Sequence, residues 1–394
     1  MNWFAQVFAL LSFNLRSLPQ RKGSALAAVF GIAGVVAVFV GVLSIAQGFK
    51  RAMVGAGSAD RAVILRAGAD SETTSFLTRD EARIVSEGPG VARSAEGSLS
   101  SPELFVIINL PKKSTGTDAN VSMRGVSKSA FAVRPEVKIV EGRNLAWGQK
   151  EMIVGRGARD QFSGLTLGSE MQLGQGTWRV VGIFEAKEGL SESEIWADEA
   201  VLAPAYRRIG YQVALVRLAS AGSFQQFKDA LTSDPRLEVK VVREPEYYAQ
   251  QSQTLSQIIT GLGTLIAGLM AVGAVFGALN TMYTAVASRT REIATLKALG
   301  FNSSPVVVSI LIESIILASI GGTIGALLAW AAFDGYKTAT INWSSFSQVT
   351  FAFDVNGPLL IQGILYSVLI GLIGGLFPAI RAARLPVGLA LRDV

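Results

Sequence analysis

The chain has 394 residues, half of them apolar and only 17% charged, with a mean hydropathy of +0.39 and a formal net charge of +6. Soluble domains carry roughly a quarter charged residues, so long apolar segments are expected in place of two or three ordinary soluble domains. Cysteine and histidine are absent, which excludes a disulfide framework, a zinc site with nitrogen and sulfur ligands, a thiol nucleophile and a Ser-His-Asp hydrolase.

Residues 1–23 precede the first apolar run. Phe4, Phe8, Leu11, Leu15 and Leu18 recur at helical spacing, with Trp3 and Val7 widening the stripe and Asn2, Gln6, Ser12 and Arg16 elsewhere. This pattern predicts an amphipathic helix in the cytoplasmic interface, separated from the first span by Pro19. Residues 24–46 carry no charge, and at 1.5 Å per residue span about 35 Å, enough to cross a membrane. They are expected to form a retained transmembrane helix rather than a signal peptide.

Residues 47–254 hold 26 cations and 25 anions and are expected to form an α+β domain outside the cytoplasm. Short β-branched or aromatic runs mark strands at Ala62–Leu65, Leu104–Asn109, Glu151–Gly155, Trp178–Phe184, Val213–Leu218 and Leu237–Val242. Thr78 and Glu81 are spaced as a capping box, and Ser223 precedes Phe224 and Phe227 on one helical face. The acidic group Glu185, Glu188, Glu192 and Glu194 is read as a solvated loop.

Residues 255–287 form a second apolar run of about 50 Å as a helix, long enough to project beyond the bilayer. Residues 288–304 come next as a short amphipathic element, with Ile293, Leu296 and Leu299 or Gly300 on one side and Arg291, Glu292 and Lys297 supplying charge. At the end of a long helix, such an element suits docking of a soluble partner. The third span, 305–333, contains one ionisable residue, Glu313. It is read as an anchor that accepts hydrogen bonds or pairs with a cation of the 288–304 loop, ahead of a transport or proton role. A short extracytoplasmic loop is expected at 334–358, a fourth span at 359–380 and a cytoplasmic tail at 381–394. The pairs Gly273–Gly277, Gly321–Gly325 and Gly371–Gly375 are G-x-x-x-G spacings suited to close helix packing, within a bundle or across a dimer interface.

Arg16, Arg21 and Lys22, then Arg289, Arg291 and Lys297, then Arg381, Arg384 and Arg392 flank the spans on one side, against Glu292 and Asp393. The excess of cations assigns that side, with both termini, to the cytoplasm. The net positive charge is thereby explained without nucleic acid. No G-x-x-x-x-G-K-[ST] run occurs, so the chain has no P-loop and no nucleotide cofactor of its own is expected.

The run from Ser288 to Gly300 resembles the signature loop of MacB/FtsX-type (type VII) ABC transporter permeases. Further pieces agree in order. Arg21-Lys22 and Gln47-Gly-Phe49 resemble the family's opening, and Glu141-Gly-Arg143, Ile153-Val-Gly155, Leu167-Gly168 and Val180-Val-Gly-Ile183 its outer core domain. Ile312-Glu-Ser314 with Gly321-Gly-Thr-Ile-Gly325 resembles the third span. Phe377 to Pro386, closed by Ala390-Leu-Arg392, resembles the tail. The resemblance implies an integral membrane α-helical permease subunit, with four transmembrane helices and a large α+β extracytoplasmic domain between helices 1 and 2. The loop after the second span would be the coupling helix, carried here by Arg289, Arg291, Glu292, Ile293, Leu296, Lys297, Leu299 and Gly300, with Leu296 as the apolar plug.

The resemblance further implies a separate ABC ATPase that binds ATP and Mg, a second permease copy or paralogue, and a periplasmic adaptor protein of the membrane-fusion type, in a bacterial inner membrane. Export driven by mechanotransmission is the leading expectation. The alternatives are a non-transporting regulator of an extracytoplasmic enzyme such as a cell-wall hydrolase, and a lipoprotein-extracting permease.

Overall fold

The computed structural model describes residues 3–16, 22–55, 57–187, 189–342 and 345–386. Asn2, Leu18, Pro19, Arg21, Glu188 and the Ala390-Leu-Arg392 run lie outside them, as does the side chain of Leu15. The chain divides into a helical unit (1–47, 258–336, 353–394) and a sheet unit (48–257, 337–352), so it passes between them four times.

In chain order, the first elements are α1 (Trp3–Arg16), α2 (Lys22–Val54), β1 (Arg61–Arg66), α3 (Arg79–Ser86), β2 (Arg93–Ser94), β3 (Gly97–Ser98), β4 (Ser100–Pro111), β5 (Asp118–Val126) and α4 (Ala130–Val133). Next come β6 (Lys138–Gly142), β7 (Glu151–Gly155), α5 (Arg156–Gln161), β8 (Glu170–Gln172), β9 (Thr177–Glu185), β10 (Ile195–Asp198), α6 (Glu199–Ala205), β11 (Val213–Arg217), α7 (Phe224–Ser233) and β12 (Val239–Arg243). The remainder is α8 (Glu244–Ala287), α9 (Thr290–Ala298), α10 (Ser303–Phe333), β13 (Lys337–Asn342), β14 (Ser347–Ala352) and α11 (Gly357–Ala383).

Among the described residues, four helices (α2, α8, α10 and α11) are long and apolar enough to cross a membrane. With 44 residues, α8 measures about 66 Å, longer than its apolar run because the polar segment from Glu244 to Gln253 is helical too. The helical unit packs Val36, Phe39 and Val40 of α2 against Ala318, Ala326 and Ala329 of α10 and Ile370 of α11. Small residues let these backbones approach. A Cβ at Gly321 would lie 2.7 Å from the Val29 carbonyl of α2, and one at Gly375 would lie 2.7 Å from the Ser314 Cβ of α10. Gly325 and Gly371 meet Ala33 and Ala318 as closely. A Cβ added at Gly273 or Gly277 of α8 would meet nothing within 4 Å among the described residues, so no close approach inside the helical unit requires glycine at this pair. The spanning window of α8 is only 17% buried, against 56% for α2.

The sheet unit is built on a ten-stranded mixed sheet in the order β12-β1-β11-β4-β5-β10-β7-β9-β6, with β8 on β9. β5 pairs antiparallel with β4, Val106 opposite Met123, and parallel with β10, Met123 opposite Ile195. One core cluster gathers Val106, Met123, Val154, Phe162, Trp178 and Ile195, and a second gathers Ile64, Leu77, Val85, Val216, Phe227 and Val241. Helix α3 starts at the capping box foreseen from the sequence: Glu81 N donates to Thr78 Oγ1 at 3.2 Å and Thr78 N to Glu81 Oε2 at 2.7 Å.

The 334–358 segment is not a plain loop. It forms the hairpin of β13 and β14, Lys337 opposite Ala352 and Asn342 opposite Ser347, and belongs to the sheet unit. Its alternation of Thr, Ile, Val and Phe is a strand signal that the surrounding spans overshadow.

Candidate functional site

Helix α9 begins after Arg289 and ends where Gly300 takes φ +93°, a left-handed backbone that favours glycine. The Phe301 amide then closes on the Leu296 carbonyl at 3.1 Å. Both ends of α9 are tied to other helices. Arg289 is buried; its Nη1 donates to Asn14 Oδ1 of α1 at 2.7 Å and stands 3.6 Å from Glu313 Oε2 of α10, and its Nη2 donates to the Asn14 carbonyl at 3.1 Å. Lys297 Nζ, near the other end, donates to the Ala383 and Leu385 carbonyls at 2.8 and 3.0 Å. Those carbonyls close α11, so the cation sits where the helix dipole and unpaired acceptors favour it.

The faces of α9 divide differently from the sequence expectation. Ile293 and Ala294 are buried, and Ile293 joins Leu10, Met282, Val286, Val306 and Ile310 in one cluster. Leu296 is only partly exposed and packs against that same cluster. The large apolar side chain exposed here is Leu299, 73% accessible, beside exposed Arg291, Glu292 and Thr295. Leu296 and Lys297 are therefore engaged within this chain, and the outward face is carried by the other residues. A cavity of about 30 Å³, lined by Asn14, Arg289, Glu292, Ser309 and Glu313, lies behind α9.

Helix α1 is amphipathic in an inverted sense. Gln6 and Asn14 are buried, Gln6 Oε1 accepting from the Asn302 amide at 3.3 Å, while Phe4 and Phe8 are exposed. Trp3 Nε1 adds a bond to Ser304 Oγ at 3.0 Å. The polar residues thus hold the loop around α9, leaving the aromatic residues on the outside.

The sheet unit contains a second cluster that the sequence reading missed. Arg124, in the middle of β5, donates to Glu194 through Nε (2.9 Å) and Nη2 (2.7 Å), to Glu103 through Nη1 (2.9 Å) and to Glu72 through Nη2 (2.9 Å). Arg134 donates twice to Glu103, at 2.6 and 2.9 Å. All five are buried, so Glu194 is no part of a solvated loop, and Glu185 pairs with Arg156. Burial pushes the Glu72 carboxyl up, against the pull of Arg124. Burial acts on Glu103 in the same sense, but Arg134 and Arg124 together hold it below the ordinary range. Arg61 joins β1 to the root of α8, its Nε 2.5 Å from Glu244 Oε2 and its Nη1 2.5 Å from Glu136 Oε1. The Ser58 amide also donates to Glu244 Oε2 at 2.9 Å. These charges lie far apart in sequence, and only the evenness of 26 cations and 25 anions hinted at pairing. Among the described residues, no group of three or more acidic side chains is placed to hold a metal ion.

Four apolar helices, with a large sheet domain inserted after the first, define a multi-pass membrane protein of the permease class. Residues 25–234 match the MacB-like periplasmic core domain and residues 264–387 the FtsX-like permease C-terminal region, and the chain belongs to this family of ABC transporter permeases. It is 25% identical over 418 aligned positions to an uncharacterised ABC transporter permease, YvrN, of Bacillus subtilis, covering 98% of this chain and 97% of that one. It is 26% identical over 344 positions to the macrolide export ATP-binding/permease protein MacB of Psychrobacter cryohalolentis, covering 80% of this chain and 48% of that protein, so the match spans about half of MacB. Solved structures similar to it include the extracellular domain of the ABC-type transporter YknZ from Gram-positive bacteria, at 17% identity and a TM-score of 0.36, covering 46% of this chain and 99% of that one. The periplasmic region of MacB from Actinobacillus actinomycetemcomitans is a second, at 12% identity and a TM-score of 0.37, covering 52% and 95%.

Proposed function

We propose that this permease works in an inner membrane with both termini in the cytoplasm, and that it converts ATP hydrolysis by an ABC ATPase into movement of its extracytoplasmic sheet domain. The single observation that carries the reading is the mounting of α9. Arg289 fixes one end to α1 and α10, Lys297 fixes the other to α11, and the face bearing Arg291, Glu292, Thr295 and Leu299 is left outward. An element held at both ends passes a push to the helices that hold it, whereas a loose loop absorbs it. No phosphate-cradling loop occurs in the sequence, so nucleotide and Mg belong to the ATPase.

The output is export, in line with the name of the MacB relative, with a periplasmic adaptor gripping the sheet domain. A second permease copy or paralogue covers the outward side of α8, where Gly273 and Gly277 are open. Glu313 serves as an anchor for Arg289.

Leu299→Asp tests the reading. Buried apolar anchors dominate interfaces of this kind, and losing one weakens binding by about tenfold or more. In the permease–ATPase complex the variant should lose ATPase association to that extent while still inserting in the membrane. Association and ATP-driven output at wild-type levels would remove α9 as the coupling element.

A further inference from the structure

We infer that the sheet unit holds a binding site for a small organic acid, a compact apolar body carrying one phosphate or carboxylate group, in a cavity between the β13–β14 hairpin and α5. Every residue of the site belongs to that one unit (48–257, 337–352), and the inference does not rest on the coupling reading.

The cavity follows from where small side chains fall. In the antiparallel register Lys337 lies opposite Ala352 and Ala339 opposite Thr350. Alternation along each strand puts these four side chains on one face of the hairpin. Docking is centred on Thr350: its amide donates to Ser193 Oγ at 2.9 Å and its Oγ1 to Gln161 Oε1 of α5 at 3.3 Å. The approach there is close, since a Cβ at Gly157 would lie 3.3 Å from the Thr350 Cβ. Beside this contact the hairpin presents only the methyl groups of Ala339 and Ala352, and a volume of about 310 Å³ stays open. Pockets for small molecules begin at about that size, roughly 300 Å³.

The charged groups on the wall differ in what they already bind. Both carboxylates are engaged: Asp160 accepts from Arg159 Nε at 3.0 Å, and Glu192 Oε1 from the Ala186 amide at 2.8 Å. The two cations are less committed. Arg156 pairs with Glu185 through Nη1, but its Nε is buried with no acceptor among the described residues. Lys337 is exposed, and among the described residues its Nζ has neither an ion pair nor a hydrogen bond.

The unspent capacity of the site is therefore donor capacity, which calls for an oxyanion. A guanidinium held along one edge offers the rest of its fork to phosphate or carboxylate oxygens, and the lysine adds a point charge. Because Asp160 and Glu192 balance Arg156 and Lys337, one acidic group suits the wall and a polyanion is repelled. Ala339, Ala352 and Phe351 supply the apolar surface for the body of the ligand.

The test needs neither ATP nor an ATPase, so its failure is distinct from failure of the coupling reading. Phenyl phosphate and benzoate are the probes, with benzyl alcohol as the neutral match and inorganic phosphate as the group without a body. Binding is followed by ligand-observed NMR on the full chain in nanodiscs of zwitterionic lipid, with empty nanodiscs subtracted. Both acids should bind saturably, with a dissociation constant of about 1 mM. Benzyl alcohol and inorganic phosphate should each bind about tenfold more weakly or worse.

Lys337→Glu changes an exposed side chain and should weaken both acids by about tenfold or more without disturbing the fold. Ala339→Leu fills the cavity and should abolish binding; Ala352→Leu is the second filling variant if the first does not fold, as judged by tryptophan emission. Absence of saturable binding of the acids, or acid binding unchanged in Lys337→Glu or in a folded filling variant, would overturn the site. Benzyl alcohol as tight as benzoate, or inorganic phosphate as tight as phenyl phosphate, would overturn the ligand class.

Discussion

Arg289 and Glu313 face each other at 3.6 Å, both buried, one at the start of α9 and the other eleven residues into α10. Asn14 of α1 holds the same guanidinium from the other side through its side chain and its carbonyl. Three elements, one of them 275 residues away in sequence from Arg289, are therefore fixed at one cation.

Removing one member of a buried pair leaves the other charge in a poor environment, at a loss of about 3–5 kcal/mol. Arg289→Ala should accordingly release α9, seen as faster hydrogen exchange over residues 289–300. Glu313→Gln keeps a polar group and should disturb the same amides less, with assembly and ATP-driven output preserved. Retained assembly with lost output in Glu313→Gln would count against the anchoring role.

Lys297→Met keeps the aliphatic stem and removes the donors to Ala383 and Leu385. Hydrogen bonds to charged groups contribute about 1.5–3 kcal/mol, so exchange over residues 380–385 should accelerate. Leu299→Asp should leave those amides unchanged, which separates the outward face from the anchors.

Arg124→Met removes the cation shared by Glu72, Glu103 and Glu194. The sheet domain should lose about 3–5 kcal/mol, because buried carboxylates lose their main counter-charge. Denaturation followed by tryptophan emission reports it directly, since Trp196 Nε1 donates to Glu194 Oε2 at 2.8 Å.

The same cluster makes a pH prediction with opposite signs at two residues. Glu72 has a raised pKa in the folded chain because of burial. Its stabilising contribution is present below the ordinary carboxylate range and is lost as pH rises through the raised value. Glu72→Gln should then stabilise the domain relative to wild type at neutral pH and lose that advantage in acid. Glu103 is held low by Arg134 and Arg124 despite burial. Its contribution is present above the ordinary range and disappears as pH falls through the depressed value, so Glu103→Gln should destabilise at neutral pH. Unfolding midpoints at about pH 4 and about pH 7.5, on either side of the carboxylate range, check both.

Membrane orientation is checked by fusion. A reporter active only outside the cytoplasm should work within residues 100–200 and fail at residue 302. Activity at 302 would reverse the orientation argued from the Lys and Arg distribution.

The spans were legible because an uncharged run of some twenty residues has few other fates. The runs at Ala62–Leu65 and Trp178–Phe184 were legible as strands because both faces of the sheet are covered, which selects continuous apolar sequence. β5 was not: Asp118–Val126 contains Asn, Ser, Arg and Gly and acquires its conformation from pairing with β4 and β10. The surroundings of Leu296 were not legible, since helical periodicity identifies an apolar side without saying what covers it. Here the covering residues are Leu10, Met282 and Val306, from three other helices.

By itself, then, the sequence determined the number of spans, the cation-rich side and the family signature, all of which depend on short-range composition and order. Tertiary structure alone decided which charges were paired. Arg124 reaches Glu72, Glu103 and Glu194, and Lys297 reaches α11, because folding brings distant residues together and burial makes an unpaired charge too costly to tolerate. It likewise decided that 337–352 is a docked hairpin rather than a free loop, since the bonds that hold it come from Asn120, Gln161 and Ser193, well over a hundred residues away.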